Sequence, residues 1–218
     1  MLLTEKYAPR SFAEVVGQEK VIRILNLHRQ QGGLGGHAYW ISGKPGTGKS
    51  TLAGLIAAEV ASEWSTETYS AQALTRTIIA DLAKRAQTYG FPPQMGKAYI
   101  VEEAHGLRSD SVRELLLHVD SRAIPKHVVW VFTLTLQGQQ LFEELREIDS
   151  GPLLSRCSQL NLSCQGIAPL FAKRAREIAD RENLNGRPES AYLKLVNDCK
   201  SNFRAVLQAI QDGAMLPP

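Results

Sequence analysis

Two short stretches hold the residues best suited to chemistry. The first is "GKPGTGKST", Gly43 to Thr51. It fits the pattern G-x-x-x-x-G-K-[ST]. Gly43, Gly46 and Gly48 let a loop turn tightly with its amides pointing inward, an arrangement that holds phosphate oxygens. A helix starting near Lys49 would add its positive N-terminal end to the same field. Lys49 would reach the β- and γ-phosphates of a nucleoside triphosphate, and Ser50 would ligate Mg²⁺. Lys44, Pro45, Thr47 and Thr51 complete the expected contact set, Lys44 as a second cation near the nucleotide. Average composition gives the pattern by chance in on the order of one in a hundred chains of this length. The strand–loop–helix context lowers that figure, so ATP binding is the expectation.

The second stretch is "KAYIVEEAHGL", Lys97 to Leu107. An apolar run ends in two adjacent carboxylates. A core strand has no reason to end this way unless the charge is used. Beside a phosphate loop, Glu102 would face the metal and Glu103 would polarise an attacking water. The plainer alternative, a glutamate that merely caps the strand end, leaves the loop without an acidic partner.

These residues need elements to hold them. Met1 to Arg10 reads as an extended arm stiffened by Pro9. Ser11 is a candidate cap, and an amphipathic helix runs from about Gln18, with Val21, Ile24 and Leu25 at helical spacing. Gly32 to Gly36 breaks it. "HAYWISG" is a short apolar strand and "KSTLAGLIAAEVASEW" a helix. Residues Ala71 to Tyr89 read as helical and "AYIVEE" as a second strand. "SDSVRELLLHVDS" is a helix with Ser109 or Asp110 at its cap, and "HVVWVFTLT" a third, β-branched strand. Strands alternating with helices predict an α/β fold with a parallel sheet between helices. After "LLSRCSQLNLS" the pattern changes to three helices with no strand between them. The expected division is a nucleotide-binding core over 1–162 and a small helical domain over 163–218.

Composition bounds the rest. The chain has 218 residues, 44% hydrophobic and 22% charged, with a net charge of +3. These are ordinary globular values, and the charge neither requires nor excludes nucleic acid. No apolar run is long enough to span a membrane, and "MLLTEKYAPRS" has no secretory h-region, so a cytoplasmic or nucleoid-associated location is expected. Cys157, Cys164 and Cys199 show no metal spacing and read as reduced thiols.

Three separate stretches resemble one family, the AAA+ ATPases of the clamp-loader clade, which includes the bacterial gamma/tau subunit and the replication factor C small subunits. "EKYAPRSFAEVVGQEKVIRIL" is similar to their N-terminal signature. "GKPGTGKST" and "VEEAH" resemble their Walker A and Walker B motifs, and "LLSRCSQL" their S-R-C motif. The resemblance runs from about Leu3 to Ala214 and implies a P-loop AAA+ core followed by a three-helix lid. It implies ATP and Mg²⁺ as ligands. Tyr7, Pro9, Val15, Val16 and Gly17 would pack around the adenine. Thr135 would be sensor 1, with Thr133 the weaker candidate. Arg156 would be an arginine finger reaching a neighbouring subunit's ATP, and Arg204 the sensor 2 arginine. It further implies other AAA+ subunits, DNA bound without sequence specificity, and a sliding clamp or other replication protein as partners. Lys84, Arg85, Arg108 and Arg113 are the candidate phosphate contacts on DNA.

Departures from the family are as informative. Glu102 stands where Asp is usual; its extra methylene predicts retained binding and slow hydrolysis, because Mg²⁺ tolerates geometric error poorly. Ala8 replaces an arm arginine, and "SNFR" lacks the usual Gly-Asp before Arg204. The segment Leu136 to Leu154 is longer than usual and acidic. The family's collar domain is missing after "AMLPP": either the chain is truncated or it assembles through its AAA+ modules alone. Two further functions therefore stay open, a nucleotide-switch scaffold with weak or no hydrolysis and a helicase-loader or mobile-element ATPase.

Overall fold

A computed structural model describes residues 1–120, 123–135 and 150–217. The acidic "FEELREID" therefore lies outside the described residues. A helical turn, α1 (Leu3–Lys6), precedes a 3-10 turn (Phe12–Glu14) and helix α2 (Glu19–Gln31). Strand β1 (His37–Gly43) leads through the phosphate loop into α3 (Lys49–Val60). Then come β2 (Thr66–Ser70), α4 (Arg76–Arg85), β3 (Lys97–Glu102), α5 (Ser109–His118) and β4 (Val128–Thr135). Helix α6 (Ser150–Arg156) and β5 (Ser158–Asn161) close this part, followed by α7 (Ala168–Arg181), α8 (Glu189–Asp198) and α9 (Phe203–Gln211).

The five strands form one parallel sheet in the order β2-β3-β4-β1-β5. Successive residues of β1 serve opposite faces, as pleating requires. Trp40 packs with Tyr99, Trp130, Phe132 and the inner faces of α4 and α5. Tyr39 and Ile41 pack with Ile100, Val129, Val131 and residues of α2 and α3. Both faces are covered, so the central strands read as continuous apolar runs rather than alternating ones. A third cluster joins α7, α8 and α9 around Ile178, Tyr192, Val196, Val206 and Ile210.

Several expectations need correction. The arm is not extended throughout, because Leu3–Lys6 closes a helical turn whose Leu3 is buried against the C-terminal helices. Ser11 leads only the 3-10 turn, and α2 starts at Glu19. The helix expected over Ala71 to Tyr89 is shorter, capped by the Thr75 hydroxyl accepting from the Ile78 amide. The cap of α5 is Arg108, not Ser109 or Asp110. β2 and β5 add to the three expected strands. Both are short edge strands, and β2 is mostly polar and half-exposed, so neither carries an apolar pattern to read.

Arm and C-terminal helices are tied directly. Glu182, at the end of α7, accepts a hydrogen bond from the Tyr7 hydroxyl and pairs with the Lys6 ammonium at 2.6 Å. The Leu3 amide donates to Gln211 Oε1 at 2.8 Å.

At the far end of β1, His28 and His37 stack with centroids 4.7 Å apart, and His28 Nδ1 lies 3.0 Å from the Tyr39 hydroxyl. Burial holds both imidazoles below the ordinary histidine value, and for His37 the neighbouring His28 adds to it. The unfolded chain therefore takes up protons first as pH falls. The stability these groups allow is present above about pH 6.5 and is lost progressively below it. Thermal unfolding between pH 7.5 and 5 should show a falling midpoint, and a His28→Phe/His37→Phe variant should flatten that slope.

Candidate functional site

Two registers set the site. Gly43, the first residue of the phosphate loop, pairs with Thr135 at the end of β4, and Val101 of β3 pairs with Phe132 of the same strand. The ends of β1 and β3 thus stand on either side of β4, on one edge of the sheet. Thr135 is half-buried there, and Thr133 is buried two residues deeper. Glu102 is half-buried as the last residue of β3. Glu103 follows with φ 53° and ψ 48°, a left-handed conformation costing a non-glycine residue about 1–2 kcal/mol. Such strain persists only where the surroundings over-determine it. It turns the Glu103 side chain outward, 59% exposed, with His105 Nδ1 at 3.3 Å from its Oε2.

In the phosphate loop, Gly46 and Gly48 have φ of 74° and 96°. The Lys49 ammonium donates to the carbonyls of Gly43 and Lys44, each at 3.1 Å, and the Thr47 hydroxyl to that of Lys44 at 2.8 Å. Burial lowers the Lys49 pKa; the Glu103 carboxylate works against that shift and the Arg204 guanidinium adds to it. Glu103 and Arg204 thus both act electrostatically on Lys49. Lys44, Pro45 and Ser50 are exposed.

A cavity of about 300 Å³ opens beside this loop. Of the residues expected at the nucleotide, Tyr7, Pro9, Val15, Val16, Gly46, Thr47, Gly48, Thr51 and Arg204 line it. Thr4, Glu5, Ala8, Glu14, Phe171, Arg174, Phe203 and Leu207 line it too, beyond the expected set. Phe203 and Leu207 could have been inferred as neighbours of Arg204 on one helix. Nothing in "LFAKRAREIADR" says which of its basic residues turns inward. Gly17 lies behind the wall; its φ is 74°, and a Cβ there would meet Ile167 Cγ1 at 2.5 Å. The neighbouring Gln18 is buried and clasps the connection to the C-terminal helices, donating to the Ser163 carbonyl and accepting from its amide.

The departure at "SNFR" is repaired in three dimensions. Ser201 takes a left-handed φ of 59°, the conformation that suits glycine, and Asn202 caps α9 by accepting from the Ala205 amide. The Phe203 amide then donates to the Gly46 carbonyl at 3.3 Å, so α9 abuts the phosphate loop. Arg156 is elsewhere. It ends α6, bonds its own helix at the Pro152 carbonyl and lies 3.8 Å from Asp120. Of the basic residues considered for DNA, Arg85 is committed to Glu67 and Asp81. Lys84, Arg108 and Arg113 are exposed.

This topology, with a strand inserted between the phosphate-loop strand and the acidic strand and helices at the C-terminus, defines a P-loop AAA+ module. Solved structures agree on the fold: the RuvB Holliday junction branch migration motor of Thermotoga maritima matches with a TM-score of 0.68 at 22% identity, over 94% of this chain and 64% of that one. No family model matches. Among curated proteins, the chain is similar to replication factor C small subunits and DNA polymerase III subunit tau. Replication factor C small subunit 2 of Pyrobaculum arsenaticum is 34% identical over 96% of this chain. Small subunit 1 of the same organism is 29% identical over 96%, and DNA polymerase III subunit tau of Escherichia coli 26% identical over 97%. The chain spans 62%, 61% and 35% of the lengths of these three relatives.

Two outcomes are expected. Ser201→Gly should relieve left-handed strain and raise stability by about 0.5–1 kcal/mol, read as an increase in the denaturation midpoint. Gly46→Ala would place a Cβ 1.8 Å from Asn202 Oδ1 and 3.0 Å from its Cα. It should force loop and helix apart and weaken binding of a fluorescent ATP analogue by about tenfold or more, with folding retained by circular dichroism.

Proposed function

We propose that this chain is the ATP-binding and ATP-hydrolysing subunit of a clamp-loader-like assembly in DNA replication or repair. The observation that carries the reading is the cavity walled by arm, phosphate loop and two C-terminal helices, with Arg204 in its lining and acting electrostatically on Lys49 of the loop. In this reading residues 1–162 are the AAA+ core and 163–218 the lid.

Lys49 and Arg204 stabilise the charge that spreads over the γ-phosphate oxygens in the transition state. Glu103 polarises the attacking water, its side chain carried outward by the left-handed backbone. Thr135, beside Gly43, monitors the γ-phosphate as sensor 1. Ser50 and Glu102 offer an oxygen-only donor pair on adjoining edges of the site, which fits Mg²⁺. When bound, the metal neutralises phosphate charge. Arg156, remote from its own cavity, acts on the ATP of a neighbouring subunit, so hydrolysis requires assembly.

DNA is held through phosphates by exposed cations such as Lys84, Arg108 and Arg113, with a sliding clamp as the partner to test first. The names of the relatives support replication as the setting, and the cytoplasm or nucleoid is the location that goes with that reading. A second reading, a nucleotide switch with little turnover, is favoured by Glu102 and by the altered arm at Ala8.

Steady-state ATP hydrolysis over a range of protein concentrations, with and without primed DNA, separates the two. The rate per subunit should rise with concentration and again with DNA. Arg156→Ala should lower it by about a thousandfold while ATP binding is unchanged. A flat, near-zero rate despite tight ATP binding would overturn the hydrolytic reading in favour of the switch.

A further inference from the structure

We propose that Arg174 and Glu14, which line one cavity, read the base of the bound nucleotide and make the site select a 6-amino purine. The inference rests on the cavity being a nucleotide site, and it concerns Arg174, which belongs to none of the motifs, and Glu14, which lies inside the N-terminal signature stretch but carries no expected role there.

The cavity has two ends. Gly46, Thr47 and Gly48 define the phosphate end, where Arg204 approaches from α9. Arg174 enters from α7, and Glu14 from the turn between the arm and α2. The electrostatics divide in the same way, since Arg204 acts on Lys49 and Arg174 acts on Glu14. Val15, Val16, Phe171 and Phe203 supply apolar lining, the two phenylalanine rings with centroids 4.6 Å apart and planes tilted by 44°. A flat aromatic ring can pack against such groups.

Arg174 is weakly committed. It pairs with Glu177 on its own helix, at 3.4 Å, and among the described residues it makes no ion pair with Glu14. An i,i+3 pair of this kind contributes only a few tenths of a kcal/mol in general, yet Arg174 stays mostly buried, 23% exposed. A guanidinium facing a cavity can stack on a base or donate to its ring nitrogens, and it never accepts. Glu14 is the complement. Its Oε2 accepts from the Arg10 amide at 3.0 Å and its Oε1 from the Ser11 hydroxyl at 3.1 Å. These bonds hold its carboxyl below the ordinary range, so it is ionised and can only accept. Lone pairs remain on both oxygens.

A fixed donor beside a fixed acceptor matches adenine, which presents an amino donor next to ring-nitrogen acceptors. A 6-oxo purine would bring its carbonyl against the carboxylate.

Calorimetric titration of the full chain with ATP, ITP and inorganic tripolyphosphate tests this. The wild type should prefer ATP to ITP. Arg174→Ala should bind ATP about tenfold more weakly and tripolyphosphate unchanged. Glu14→Gln, whose amide can also donate, should shrink the preference for ATP over ITP. Arg174→Met, which keeps the stem that packs beside Phe171, should repeat the loss and serves if the alanine variant does not fold. Equal losses for ATP and tripolyphosphate would place Arg174 on the phosphates and overturn the proposal, as would unchanged ATP binding. A wild type that binds tripolyphosphate but does not discriminate ATP from ITP overturns base reading while leaving the nucleotide site standing. A wild type that takes up neither ATP nor tripolyphosphate sinks both.

Discussion

The site depends on β4 lying between β1 and β3. Parallel strands place their ends on the same edge, and the register of β4 with both neighbours brings Gly43 and Thr135 side by side with the acidic end of β3 one strand beyond. That spacing leaves room for a phosphate chain between an amide-lined loop and a carboxylate. The strand can hold the position because it is buried along nearly its whole length, with Trp130 and Phe132 filling one face and Val129 and Val131 the other. A sheet packed this way does not slip by one residue, since slipping would exchange its faces.

The second constraint is the close approach of α9 to the phosphate loop. Only a residue without a side chain fits at Gly46, because Asn202 occupies the space a Cβ would need. The backbone bond from Phe203 to Gly46 then fixes where Arg204 enters the cavity. On the other side, Gln18 holds the chain where it leaves the sheet for α7, and Gly17 lets Ile167 pack close. The loop and the C-terminal helices thus meet through backbone contacts, which depend on conformation more than on side-chain type.

This explains what was legible in the sequence. The phosphate loop could be placed between a strand and a helix because its glycines and lysine fall at a particular spacing, whereas the arm, expected to be extended, closes a helical turn at Leu3–Lys6. β1, β3 and β4 could be read because burial on both faces demands unbroken apolar runs. β2 and β5 could not, since edge strands of four or five residues keep little of that pattern. "SNFR" looked like a defect because a family written as Gly-Asp was compared letter by letter. Here Ser201 takes a left-handed turn of the kind that suits glycine, and Asn202 caps the helix that carries Arg204. The C-terminal lining was hidden for another reason. α7 carries Lys173, Arg174, Arg176 and Arg181, and only the packing of Phe171 and Ala175 inward decides that Arg174 faces the cavity.

The cavity is lined by residues from Thr4 to Leu207, and Leu3 is bonded to Gln211, 208 positions away. On the ribosome the sheet and its loop can form while the walls from α7 and α9 are still unmade or inside the exit tunnel. A nascent chain therefore carries a phosphate loop without an enclosed pocket, and the arm, synthesised before the sheet, must wait unpartnered until α9 emerges. Closure of the pocket is in this way deferred until α9 has emerged, after the sheet has already settled.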